Sequence, residues 1–317
     1  MDHHILNIKH PAEGNTAEYW LGRRNLAPVF FGQSTVQQLL ADRGVNGQRL
    51  GGGARLFAEL GLDERHQASA RCITISAGEV WCYRFTGRIS ALDNEAIEFL
   101  RNGQHCIDVP KAIPVAVEER IPIYEVPLIV ASLRVNQHFC RGTFAHINPE
   151  RYPGNVAALD WLWGAVPEPL HRLQCLSSIE LETLIAKLLE EQGAFVPAYK
   201  GGFLHGVDLF AYADSAAVAQ RSRLPFVRRT DGRLVLSVQV KTRIGDVGDV
   251  QAWLAGGDER VLITIEDERH PALADLHGVR YFTREWVEQS LGSAPVSNAW
   301  LDRSLNWLGA IRNAAGQ

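Results

Sequence analysis

From Ser177 onward the apolar residues fall alternately at helical and at strand spacing, and this constrains the fold more than any other feature of the chain. Ser177 to Gln192 reads as a helix. Ser177 and Glu180 form a capping box, Leu181, Leu184, Ile185, Leu188 and Leu189 make one apolar stripe, and Gly193 closes it. Val207 to Ala211 and Leu234 to Val240 follow as strands, joined by a basic, turn-bearing stretch from Arg221 to Arg233. A helix over Val247 to Ala255 stops at Gly256-Gly257; Val261 to Ile265 and Val279 to Phe282 are strands, and Thr283 to Leu291 is a helix. A last amphipathic helix, Trp300 to Ile311, packs across the layer. This order predicts an α/β domain: a sheet flanked by helices.

The first 145 or so residues are less regular and predict a separate mixed α+β domain. Ser34-Thr35-Val36-Gln37 reads as a capping box opening a helix through Leu39 and Leu40, and a second helix runs from Ala54 to Leu60 after the flexible turn Gly51-Gly52-Gly53. Cys72 to Ser76, Glu79 to Thr86, Ile113 to Val117 and Ile121 to Val130 are β-branched and aromatic, as strands are, with prolines at bends or edges. Prolines 149, 153, 167 and 169 flank a short apolar run, Val156 to Trp163, which suits a connector. The expected division is 1–148, a recognition or sensor domain; 149–170, a connector; and 171–317, the α/β domain.

Composition excludes several classes. With 32 basic and 36 acidic side chains the net charge is -4, so any surface for a polyanion must be local. Five scattered cysteines without a Cys-x-x-Cys pair offer neither a disulfide framework nor a zinc ribbon. No apolar run approaches a membrane span and the N-terminus has no signal-peptide pattern, which leads to the expectation of a cytoplasmic protein with no membrane partner.

Polar residues interrupt the α/β pattern at three informative places. Asp208 sits in Gly206-Val207-Asp208-Leu209-Phe210 among strand formers, so its carboxylate is held at the sheet and needs a partner. Gln239 and Lys241 end the run Leu234 to Lys241, where strand period puts both on one face. Asp208 and the amide oxygen of Gln239 are hard oxygen donors suited to Mg²⁺, with Mn²⁺ as a substitute. Lys241 would then stand beside a scissile phosphate to orient or help deprotonate the attacking water. Glu182 lies at the margin of the helical stripe and is the fourth candidate, whereas Glu180 is explained by its capping role.

Leu181-Glu182-Thr183-Leu184-Ile185, Gly206-Val207-Asp208-Leu209 and Val238-Gln239-Val240-Lys241, in that order, resemble the motifs of the PD-(D/E)xK nuclease superfamily and its Mrr-like restriction endonuclease branch, in which Gln replaces the usual acid. The resemblance covers about residues 177–290. It implies a restriction-endonuclease-like mixed sheet, a catalytic set of Glu182, Asp208, Gln239 and Lys241, metal ligation by Asp208 and Gln239, and Mg²⁺-dependent hydrolysis of DNA phosphodiesters. The branch often carries a further Asp ahead of the Gly-Ile-Asp turn; here Phe203-Leu204-His205 stands in that place, and the role of His205 is open.

Charge placement agrees with a polyanionic substrate. Residues 221–243 carry a balance of +6, with Arg221, Arg223, Arg228, Arg229 and Arg243 as candidate DNA contacts, while the next 25 residues carry -6. In the first domain Arg84, Arg88 and Arg134 with Trp81, Tyr83 and Phe85 are a weaker candidate surface, because alternating aromatics are more often core. The expected function is a metal-dependent endonuclease acting on DNA, double-stranded, as a homodimer, in a bacterial restriction or anti-phage defence system. Two alternatives stand beside it: a non-catalytic nucleic-acid-binding protein that kept the fold, and a nuclease silent until a ligand or partner binds the first domain.

Overall fold

The computed structural model describes residues 1–8, 10, 17–134, 143–165, 170–197 and 206–308. The chain is α/β and divides into two compact units, Met1–Glu168 and Pro169–Gln317. No helix among the described residues is long and apolar enough to cross a membrane.

The first unit is a mixed α+β body. Its strands are β1 (Asp2–Leu6), β2 (Leu26–Val29), β3 (Ala70–Ser76), β4 (Glu79–Phe85), β5 (Ser90–Ala91), β6 (Ile97–Arg101), β7 (Gln104–Asp108), β8 (Lys111–Pro122) and β9 (Phe144–His146). The main sheet has the order β2-β8-β4-β3-β1-β9, with β5 also on β8, and β6 pairs with β7 as a separate hairpin. Short helices α1 (Val36–Leu40), α2 (Gly52–Leu60), α3 (Glu64–Ser69), α4 (Leu128–Ala131) and α5 (Pro153–Leu162) complete it. Alternation along β4 buries Trp81, Tyr83 and Phe85, so these aromatics are core and not a nucleic-acid surface. Arg84, on the opposite face, pairs with Glu118. Gly53 is required by proximity rather than by a turn: a Cβ there would collide with the Phe144 carbonyl where α2 meets β9. The expected connector contains α5, and Asp160 of that helix accepts a hydrogen bond from His3 of β1 at 2.7 Å.

The second unit follows the expected order with two additions, a helix at Ala216–Ser222 and a short strand at Val227–Arg228. It runs α6 (Ser178–Glu191), β10 (Leu209–Ala213), α7 (Ala216–Ser222), β11 (Val227–Arg228), β12 (Leu234–Lys241), α8 (Val247–Ala255), β13 (Arg260–Thr264), β14 (Tyr281–Phe282), α9 (Arg284–Gly292) and α10 (Pro295–Ser304). The sheet order is β10-β12-β13-β14, with β11 also on β12. β10 is antiparallel to β12, while β12, β13 and β14 are parallel, so this is a mixed sheet with helices packed on it. The capping box of α6 forms as expected: Glu180 N–H donates to Ser177 Oγ and Ser177 N–H to Glu180 Oε2 at 2.9 Å. Burial raises the Glu180 carboxyl above its usual range, against the pull of the Ser177 donors. The last helix begins earlier than expected, at Pro295, and the end of the expected span lies outside the described residues.

Candidate active site

The second unit places its chemistry at one end of β12. This strand alternates a fully apolar set, Leu234, Leu236, Val238 and Val240, with Val235, Ser237, Gln239 and Lys241. The parallel register sets Gln239 beside Leu262 and Lys241 beside Thr264. Leu262 packs with Val250 and Leu254 of α8, so Gln239 and Lys241 belong to the face that α8 partly covers.

Asp208 immediately precedes β10. Its N–H donates to Val238 O at 2.9 Å, and its carboxylate Oδ2 accepts from Val240 N–H at 2.7 Å. The carboxylate is thus anchored to the peptide that separates Gln239 from Lys241. Gly206 makes this approach possible, because it holds a left-handed φ of 78° and a Cβ there would lie 2.8 Å from Trp253 Cδ1. His205 and the residues just before it lie outside the described residues.

Gln239 is 8% exposed, and its Oε1 is buried without a hydrogen-bond partner among the described residues. A buried amide oxygen left unmatched costs about 1–3 kcal/mol, so it needs an explanation in chemistry or in ligand binding. Lys241, at the strand end, is half-buried. The structure therefore brings Asp208, Gln239 and Lys241 together. Glu182 is half-buried near the start of α6, a helix that packs on β10 and β12. Among the described residues no group of three or more His, Cys, Asp or Glu side chains could hold a metal ion, so a cation here would depend on the amide oxygen as well as on carboxylate.

Two neighbours of the trio were not singled out from the sequence. Trp253 of α8 has its indole against Gly206, and its Nε1 is a second buried polar atom without a partner among the described residues. Glu266, two residues beyond β13, accepts from Ile244 N–H at 3.2 Å and has Arg243 Nε 3.9 Å away. Burial pushes its carboxyl up; the Ile244 N–H, Arg243 and His270 pull the other way. The register of β13 signals it, since Thr264 faces with Lys241 and the next residue of the same parity is Glu266.

Four of the five candidate DNA contacts lie at the other end of the sheet. Arg228 of β11 pairs with Leu234, which is about 23 Å from Lys241 at roughly 3.3 Å per strand residue. Arg221 and Arg223 follow β10 at that same end, donating to Gln192 O and Gln289 Oε1 at 3.0 and 2.6 Å. Arg229 forms an ion pair with Glu259 at 3.0 Å, so part of the basic run is answered by the acidic stretch that follows it. Only Arg243, of the five, lies just past Lys241.

No family model matches the chain, and no curated protein matches it. Among solved structures it resembles the DNA modification-dependent restriction endonuclease AspBHI, with 13% identity over 89% of this chain and 80% of that chain and a TM-score of 0.25. So loose a likeness leaves the site's own geometry to carry the functional reading.

Proposed function

We propose that the second unit is a metal-dependent endonuclease that hydrolyses phosphodiester bonds of DNA, in a restriction or anti-phage defence role, with the first unit deciding where or when it cuts. The observation that carries this reading is the Asp208 carboxylate hydrogen-bonded to Val240 N–H, between a buried Gln239 with an unmatched Oε1 and Lys241.

The residue set fits a hard divalent cation such as Mg²⁺, which Asp208 and the Gln239 amide oxygen would hold. Bound there, the ion would draw charge from the scissile phosphate and make an attacking water more acidic. Asp208 is pre-aimed, because the Val240 N–H fixes its carboxylate against the strand end that carries Gln239 and Lys241. Lys241 presents an ammonium on the same face as Gln239, where it orients the water and stabilises the negative charge that grows on the phosphate. Glu182 would complete the set by orienting water from α6. The arginines remote from Lys241 would hold the backbone of the same duplex, since about 23 Å of strand spans some seven base pairs at 3.4 Å each. Cutting both strands of a duplex calls for two such sites, which a homodimer supplies by symmetry.

Incubating the full chain with plasmid DNA tests the proposal. Cleavage in Mg²⁺ or Mn²⁺, none in EDTA and none by Lys241→Ala is the expected result. Cleavage that ignores EDTA, or a Lys241→Ala variant that cuts as wild type does, overturns it; DNA retention without any cutting would favour a binding protein that has lost the chemistry.

A further inference from the structure

Gln239 Oε1 and Trp253 Nε1 are both buried polar atoms without partners among the described residues, and both side chains converge on Gly206. Trp253 Nε1 lies 3.1 Å, and the Gln239 amide nitrogen 3.7 Å, from the point a Cβ of Gly206 would occupy. One is an orphaned donor and the other an orphaned acceptor. Two such atoms in one small space cost more than either alone, since each has given up water for nothing.

The indole is held in this position by more than hydrophobic contact. Arg260 lies over its ring at 5.7 Å from the centroid and donates to the Trp253 carbonyl at 2.9 Å, and α8 itself is fixed by Val250 and Leu254 against Leu262. The Cδ1–Nε1 edge of a fixed ring therefore lies against Gly206, two residues before Asp208. An indole nitrogen is a donor only, with no charge and no acceptor capacity. What it can receive is an anionic or carbonyl oxygen.

On the reading of this site as a phosphodiesterase, we infer that Trp253 is a positioning residue: its indole N–H donates to a non-bridging oxygen of the phosphate being cut and turns that phosphate toward Asp208, Gln239 and Lys241. The ligand class is a phosphodiester. The donor is neutral and fixed, so it adds direction without adding to the site's positive charge.

The test uses the full chain with its tryptophan indoles labelled with ¹⁵N, the Trp253 resonance being assigned by its loss in Trp253→Phe. A short DNA duplex is added with Ca²⁺, to permit binding without turnover, and the indole proton is expected to move downfield. In parallel, Trp253→Phe, which keeps the ring and removes the N–H, is expected to lower kcat on plasmid by 10- to 100-fold with KM changed less than threefold and Mn²⁺ titration unchanged. Wild type that cuts DNA while the indole resonance stays put and Trp253→Phe keeps its kcat overturns this inference and leaves the nuclease reading intact. Wild type that neither takes up Mn²⁺ nor cuts overturns both. The resonance shift is read on the wild-type chain, so a Trp253→Phe variant that folds poorly is replaced for assignment by Trp253→Tyr, and the outcome is still decided.

Discussion

Gln239→Leu should make the second unit more stable without a cation and less stable with one. Leucine has nearly the volume of glutamine and would join Leu262, its register partner, on a face already packed by α8. Removing the unmatched Oε1 relieves about 1–3 kcal/mol, and losing whatever the amide nitrogen contributes returns about 1 kcal/mol. The net gain is on the order of 1 kcal/mol, which for a unit of this size raises the midpoint of thermal unfolding by about 2–4 °C. In Mg²⁺ at 100 times the dissociation constant, wild type gains about 2.7 kcal/mol by mass action, while the variant has lost a ligand and gains far less. The order of the two midpoints should therefore invert between EDTA and Mg²⁺. Scanning calorimetry of the full chain reads both, with the transition of the second unit marked by its response to the ion. A variant destabilised by 1 kcal/mol or more in EDTA would show that the amide is already satisfied, and equal gains from Mg²⁺ would show that Gln239 holds no cation.

Other outcomes follow from the same geometry. Lys241→Ala should cut DNA at least ~100-fold more slowly while unfolding within ~0.5 kcal/mol of wild type, because the side chain is half-buried at a strand end; a large loss of stability would instead mark it as structural. Gly206→Ala should cost about 2 kcal/mol or more, from the left-handed backbone and the displaced Trp253 ring, and an urea midpoint like that of wild type would contradict the close approach. Arg228→Ala should reduce DNA affinity and lower the salt dependence by about one counterion, and more so than Arg229→Ala, whose guanidinium already answers Glu259; the reverse order in filter binding would refute this. Burial, with His146 nearby, pushes the His4 imidazole from 6.5 down to about 3. Between those values the unfolded chain binds one more proton, so stability is lost as pH falls through that window, by up to ~1.4 kcal/mol per pH unit. His4→Phe keeps a ring stacked on Phe144 and should flatten that fall between pH 6 and pH 4; an unchanged slope in acid unfolding would place the sensitivity elsewhere.

Elements with strong periodicity could be placed from sequence, and those that depend on register or on neighbours could not. α6 has a capping box and a five-residue stripe, and β12 alternates apolar and polar residues except at Val235, so both were legible along with Gln239 and Lys241 at the strand end, whereas Asp208, expected inside a strand Val207 to Ala211, lies just before β10. α7, which ends just as the basic stretch begins, shows no period in the sequence because only Val218 and Ser222 of it are buried. The capping box of α1 is shifted by one residue: Thr35 and Gln38 form it, while Ser34 is buried before it. β8 runs through Pro114 as one strand, since Pro114 keeps its carbonyl and accepts from Thr86 N–H at 2.8 Å; the supposed strand from 121 onward ends at Pro122 and gives way to α4. The β6–β7 hairpin had its turn signal in Asn102-Gly103, both at positive φ, but flanking Glu98, Arg101 and His105 blurred the alternation. Trp253 and Glu266 reach the site only through the packing of α8 and the pairing of β13, neither of which is a local property.

The two-residue period of β12 from Leu236 to Lys241 also governs how such a chain can change over generations. Gaining or losing one residue between Leu234 and Gln239 would turn the polar pair to the apolar side and bring Val238 or Val240 into its place, erasing the site and the core in one event. The hairpin bend at Thr230 to Gly232, all exposed, has no such parity to keep. Length variation among descendants of this chain is therefore expected to gather at that bend, and the stretch that follows it to drift by substitution alone.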